Sequence, residues 1–410
     1  MKTISLKQHF EDSLPLELQE TLIKCAEIAD DMKIKIYLIG GIVRDLILQE
    51  KIVDVDLLIE GNAVEFVKSL AAKTGCTILS VNDTLGTAKV TFGPKLEIDF
   101  ASTRIEEYPK GGFLPIVKEI GCSLEEDAKR RDFSINCLAV SLNNENMFKL
   151  IDPLKGLEAL DNKELSVLHE KSFIDDPSRI IRGLRFIVRH GFHLSKDTLA
   201  LQNDYLSKEL DLSIPLERIK SEIRQLFSLN LPEAYDEFIV SGAWKLICKK
   251  EPDSIKGSRI HAIADMCLKD VGNTWMLYCV SLVINEDSQS LERLNLTSEE
   301  IKIIKDAAGL IFRKDYLQIQ NDNFDIFKFF ESKHEISILV YYIFTNDDSS
   351  LKYLNQLSQI KLFINGNDLI NLGFEPSPKF IEIFDEVLRR KLNGEIKTQE
   401  EEILVAQEFL

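Results

Sequence analysis

Strand-type and helix-type patterning are segregated along this chain, and that restricts the fold more than any other feature of the sequence. Short apolar runs of strand length occur at Ile36–Ile39, Val53–Ile59, Ala88–Phe92 and Leu96–Ala101, and an amphipathic helix is predicted over residues 16–32. From about Ile174 onward strand signals nearly vanish. Apolar residues then recur with a helical period, as in LERIKSEIRQLF and PKFIEIFDEVLRRKL. A mixed first third followed by a helical remainder predicts an α+β protein. Between the two parts, RIEEYPKGGFLPIVKEIGCS, from Arg104 to Ser123, carries Gly and Pro over a length that predicts a mobile loop. The 410 residues predict two to four domains, and no internal repeat or low-complexity segment is present.

One of the strand runs contains an anomaly. The stretch IYLIGGIVRDLILQEKIVDVDLLIEG, Ile36 to Gly61, inserts Asp54 and Asp56 into an apolar segment. Residues two apart on a strand share a face, so these carboxylates would converge, with Cα atoms roughly 7 Å apart. They would repel unless a divalent cation neutralises them, and hard oxygen donors suit magnesium. Asp99, in LEIDFA, lies in another strand run that could sit beside the first and complete a set of three. Three carboxylates are what two-metal phosphoryl transfer uses. Taken alone, the two aspartates read equally well as an edge acid pair. Gly40-Gly41 between strand and helix tips the reading toward the metal, because it offers backbone N–H groups and a helix N-terminus to a phosphate.

Charge bounds the partners. A formal net charge of -17 excludes a surface coated in positive charge for phosphate binding, so any nucleic-acid site is local. Lys171 to Lys196 forms such an island, with six Lys/Arg against two acids. The longest apolar run, ISILVYYIF, is far shorter than the ~20 residues of a membrane span, and no charged-then-apolar leader precedes the first helix; a cytoplasmic protein without a membrane partner is expected. Seven cysteines without a CxxC pair predict reduced core thiols rather than a zinc site.

Gly40-Gly41-Ile42-Val43-Arg44-Asp45, Asp54-Val55-Asp56 and RRDFSIN from Arg130 to Asn136 together resemble the tRNA nucleotidyltransferase and bacterial poly(A) polymerase family, the class II branch of the polymerase-beta-like nucleotidyltransferases. The resemblance continues through DPLKGLEALDNKEL, DDPSRIIRGLRF and INGNDLINLGFEPSP, covering most of the chain. It implies a polymerase-beta-like head with a mixed or antiparallel sheet over residues 1–150, a helical neck over 151–230 and a helical body and tail over 231–410. By the same resemblance Asp54 and Asp56 bind magnesium and Asp99 is the third carboxylate. Arg130, Arg131, Asp132 and Asn136 would contact ribose and triphosphate, with Gly40, Gly41 and Arg44 also on the nucleotide. Asp152, Gly156 and Asp161 match the segment joining head to neck. Asp175 stands where the commoner family form has Glu.

Asp176 and Arg179 are three apart, so on a helix they face one way and offer an acceptor beside a donor fork. Cytosine and adenine each present an amine beside a ring-nitrogen acceptor, whereas uracil and guanine present a carbonyl beside an N–H; Asp plus Arg matches only the first two. A bidentate match is worth about 1–3 kcal/mol. Asp176 before Pro177 is also a helix-cap pattern. Arg179, Arg182, Arg185 and Arg189 form a stripe expected to touch nucleotide or RNA phosphate, Arg182 and Arg185 being the more buried.

The expected activity is template-independent, magnesium-dependent addition of CCA, or part of it, to the 3′ end of tRNA from CTP and ATP. Addition of A alone is the main alternative. A poly(A) polymerase or an inactive RNA-binding module is a lesser one, the first opposed by the acidic C-terminal segment. Oligomeric state is not legible.

Overall fold

The computed structural model describes residues 5–52, 54–94, 96–208, 216–267, 273–286, 291, 294–312 and 322–410. The chain divides into two units, Met1–Pro215 and Leu216–Leu410.

The first unit is built on seven strands whose residues alternate between an apolar face and a mixed one. They are β1 (Lys35–Ile39), β2 (Asp56–Glu60), β3 (Thr77–Asn82), β4 (Thr87–Thr91), β5 (Glu97–Ser102), β8 (Ala139–Ser141) and β9 (Leu150–Ile151), in the order β3-β4-β5-β2-β1-β8-β9. Only β2 and β5 run parallel; the other neighbours are antiparallel. On one face Leu38, Leu57, Ile59, Val90, Ile98 and Phe100 join a core with α1 (Lys7–Ser13), α2 (Leu16–Asp31), α3 (Gly41–Leu48) and α4 (Ala63–Thr74). Full burial of each such side chain contributes about 1.5–3 kcal/mol. On the other face a small cluster of Tyr37, Ile39, Leu58, Leu124 and Ala139 leaves the Asp56 end of β2 uncovered by apolar side chains. That asymmetry places a polar site on one side of the sheet.

Two sequence expectations are corrected. The Val53–Ile59 run becomes a strand only from Asp56, so Asp54 lies in the segment leading into β2, while Val53 lies outside the described residues. The expected loop from Arg104 to Ser123 is largely a hairpin, β6 (Arg104–Glu107) paired antiparallel with β7 (Ile116–Ile120). Ile105, Ile116, Val117 and Ile120 supply the β-branched surface that the Gly and Pro residues obscured. Three strands of this sheet were also missed: β3 is an edge with little burial, so its sequence carries no alternation, and β8 and β9 are only three and two residues long.

After the hairpin come α5 (Leu124–Ala128), α6 (Gly156–Asp161), α7 (Ser172–Asp175), α8 (Ser178–His190) and α9 (Lys196–Ser207). Asp152 shapes the entry to α6 by accepting from the N–H groups of Gly156 (2.7 Å) and Leu157 (3.0 Å). Gly156 is required there, because a Cβ would meet the Ser134 carbonyl oxygen at 2.4 Å.

Among its described residues the second unit contains helices and no strand. LERIKSEIRQLF forms the helix Glu217–Phe227, burying Ile219, Ile223, Leu226 and Phe227; PKFIEIFDEVLRRKL forms Lys379–Leu392, burying Ile383, Val387, Leu388 and Leu392. Capping boxes open the last short helices at Asn365 and Thr398. Among the described residues no helix is long and apolar enough to cross a membrane.

Candidate active site

β1 ends at Ile39 and the chain turns into α3 through Gly40, whose φ of 72° and ψ of -124° suit glycine alone. No side chain caps α3, and Gly40 and Gly41 at its start line a cavity of about 730 Å³. Gly40, Gly41, Asp56, Asp99, Arg130, Arg131 and Asn136 all line that cavity, as do Lys89 and Arg104. Seven residues chosen from separate sequence stretches therefore face one space.

The floor is set by strand register. Asp56 of β2 stands directly opposite Asp99 of β5, and the entry is tied by the Asp99 N–H donating to the Val55 carbonyl at 3.0 Å. Burial pushes the Asp56 carboxyl up to about 6, and the neighbouring charges of Asp99 and Asp54 push the same way. This is a surplus of acid charge, partly offset by Arg131 and Lys89, and its donor chemistry fits a hard divalent cation. Among the described residues, however, no three acidic, His or Cys side chains are gathered closely enough to hold an ion. Asp99 instead meets the Lys89 ammonium at 3.1 Å, and Asp54 is exposed.

The wall is set by one buried acid that the sequence reading passed over. Asp127, at the end of α5 and fully buried, accepts from Arg130 Nε (2.9 Å), from Arg131 Nε (3.1 Å) and Nη2 (2.9 Å), and from the backbone N–H of Arg104 (3.0 Å). Burial alone would raise its pKa, but the Arg131 and Arg130 charges and the Arg104 amide outweigh it and hold the carboxyl below its ordinary range. Glu106 adds to the frame, accepting from Arg104 Nε (2.7 Å) and Arg130 Nη1 (3.2 Å). Three arginines are thus aimed from a preset frame. The available signal was the spacing of Asp127 to Arg130 and Arg131, three and four residues apart across the end of a short helix that opens with the capping box Ser123–Glu126.

Five predicted nucleotide contacts, Arg44, Asp132, Asp176, Arg179 and Arg182, are not on the cavity lining and bond among themselves or to the protein frame. Asp132, buried, accepts from Asn136 Nδ2 (3.0 Å), the Phe133 N–H (2.8 Å) and Arg182 Nη1 (3.1 Å). Arg44 bonds Asp45 at 2.7 Å and Asn136 Oδ1 at 3.3 Å, and its guanidinium lies 5.0 Å from the Phe186 ring centre. Asp176 and Arg179, each 3% exposed, face inward. Asp176 Oδ1 accepts from Ser178 N (3.1 Å) and Oγ (2.6 Å), but α8 starts at Ser178 with Pro177 as its uncapped N-terminal neighbour, so Asp176 lies one residue ahead of the expected cap position. Arg179 donates to Ser172 Oγ (3.1 Å) and to the Arg130 carbonyl (2.9 Å), and its Nε lies 3.8 Å from Asp176. The Arg179–Arg130 bond joins the base-reading candidate to the arginine wall. The β6–β7 turn reaches the same place, with the Gly112 N–H donating to the Asp175 carbonyl at 3.0 Å.

Residues 36–166 match the model of the poly(A) polymerase head domain, and residues 268–406 match that of a putative tRNA nucleotidyltransferase domain 2. An A-adding tRNA nucleotidyltransferase of Geobacter sulfurreducens is 29% identical over 96% of this chain and 47% of its own length, so the chain spans about half of that relative. An A-adding tRNA nucleotidyltransferase of Halalkalibacterium halodurans is 27% identical over 95% of this chain and 92% of its own. A CCA-adding enzyme of Streptococcus gordonii is 28% identical over 96% and 97%. A CCA-adding enzyme solved in an apo form shares the fold, with a TM-score of 0.81 and 22% identity over 98% of both chains. With the head motifs on one cavity and both family models matched in chain order, the chain belongs to the class II tRNA nucleotidyltransferase family.

Proposed function

We propose that this protein adds nucleotides to the 3′ end of tRNA without a template, taking CTP and ATP to build CCA. The observation that carries the reading is the convergence of Asp56, Asp99, the Gly40-Gly41 turn, Arg130 and Arg131 on one cavity. The terminal ribose hydroxyl of the RNA attacks the α-phosphorus, a new P–O bond forms, and the bond to the bridging oxygen breaks to release pyrophosphate. Asp54, Asp56 and Asp99 would hold the divalent cation, magnesium by the hardness of these donors, which when bound acidifies the hydroxyl and neutralises triphosphate charge. Arg104, Arg130 and Arg131, set by Asp127 and Glu106, bind the triphosphate. The N-terminus of α3 orients it. Asn136, fixed by Asp132, meets the ribose.

Asp176 and Arg179 read the base in this proposal, Arg182 holding Asp132 behind them. Both side chains are engaged within the protein, so the base exchanges places with Ser178 at Asp176 or with Ser172 at Arg179. We assign 1–150 as head, 151–230 as neck and 231–410 as body and tail, the last recognising tRNA by shape and backbone.

Addition of A alone is a second reading, favoured by the A-adding Halalkalibacterium relative matched over 92% of its length. Transcripts ending before CCA and after CC separate the two when supplied with CTP, ATP or both and resolved to single nucleotides. Three additions to the shorter transcript support CCA addition; one A on the CC-ended transcript and none on the shorter supports the second reading. No addition to either overturns both.

Cation binding should follow Asp56. Its carboxyl holds a proton up to about pH 6, so Mn²⁺ affinity should be flat above that pH and fall about tenfold per pH unit below it. A titration between pH 5 and 8 reads this; an affinity independent of pH removes Asp56 from the ligand set.

A further inference from the structure

Lys89, Asp99 and Asp56 occupy one row across three strands, since Lys89 of β4 is the register partner of Asp99 and Asp99 is the register partner of Asp56. Directly opposed partners share a sheet face and lie within reach of a long side chain. Lys89 Nζ meets Asp99 Oδ2 at 3.1 Å and Glu97 Oε2 at 3.4 Å. The third carboxylate is therefore engaged by an ammonium while it faces the same cavity as Asp56.

We infer that Lys89 is a built-in counter-cation that competes with the divalent ion for the Asp99 carboxylate, so that Lys89 regulates how tightly the site takes its metal. The inference rests on the metal reading of Asp54, Asp56 and Asp99. The lysine side chain is 39% exposed and that of Asp99 45%, so the pair is a weak, partly solvated one that a divalent ion displaces. A flexible four-carbon stem and a compact charge let the ammonium swing clear without backbone movement. Glu97, its second partner, gives the released ammonium somewhere to rest. Lys89 is a positioning residue here, acting through Asp99.

Binding of Mn²⁺ alone, followed by electron paramagnetic resonance without nucleotide or RNA, tests this in wild type, Lys89→Met, Lys89→Arg and Asp56→Asn. Lys89→Met should bind Mn²⁺ about two- to fivefold more tightly than wild type, the worth of a partly exposed ion pair. Lys89→Arg, which keeps the charge, should stay near wild type. If Lys89→Met does not fold by circular dichroism, Lys89→Gln is read in its place. Unchanged or weaker binding after loss of the charge, with wild-type binding still dependent on Asp56, overturns the role of Lys89 and leaves the metal reading standing. Wild-type binding that ignores Asp56→Asn overturns the metal reading and this inference with it.

Discussion

Asp56→Asn is expected to lower nucleotide incorporation at least about a thousandfold while making the protein more stable at alkaline pH. The activity loss follows from removing a charged donor at the centre of the carboxylate set. The stability gain follows from the sign of its titration. With the native carboxyl pushed up to about 6 by burial and by Asp99 and Asp54, the folded state binds a proton more tightly than the unfolded one. Stability therefore falls as pH rises from about 4 through 6, and the penalty stands in full above that, at about 2–3 kcal/mol. Melting curves should show Asp56→Asn above wild type at pH 8, by about 5 °C, and level with it at pH 4. Retained tRNA affinity in a filter-binding assay completes the pattern. Near-normal incorporation by the variant would refute the assignment.

Asp127→Ala should do the opposite to stability. It leaves Arg130 and Arg131, whose side chains are 17% and 16% exposed, without their shared buried partner. Breaking a buried charge cluster from one side costs about 3–5 kcal/mol. Melting temperature should fall by about 6–20 °C for a unit of this size, and KM for the nucleotide should rise as the arginine frame loosens. Asp127→Asn keeps the acceptor shape on one side and should lose less. Because the native carboxyl is held below its ordinary range, the wild-type advantage is present at neutral pH. It is lost only as pH falls below about 4 toward the native pKa. A melting temperature within experimental error of wild type at pH 7 would show that Asp127 is not the frame.

Local signals were readable where chemistry and backbone conformation are written in a few adjacent residues. Helix α2 at residues 16–31, strand β1, the Gly40 turn and the periodic helices of the second unit all follow from spacing alone. The edge strand β3 and the β6–β7 hairpin did not. Their outward faces carry no apolar alternation, because water rather than a core covers them. Asp176 and Arg179 were readable as a pair, but not as a buried one: the helix spacing puts them on one face without saying that Ser172, Ser178 and the Arg130 carbonyl already occupy their bonds.

The sequence by itself determined the inventory: which acids, which glycine pair, which twin arginines, and a fold whose main sheet precedes a mostly helical remainder. Those are short-range properties, and a short window holds them. Tertiary structure alone decided that Asp99 stands opposite Asp56 in a parallel register, that Lys89 grips Asp99 from the next strand, and that Asp127 reaches back to Arg104. Strand pairing joins segments far apart in the chain, and burial sets the strength of the charges it brings together. Neither quantity exists until the chain has folded.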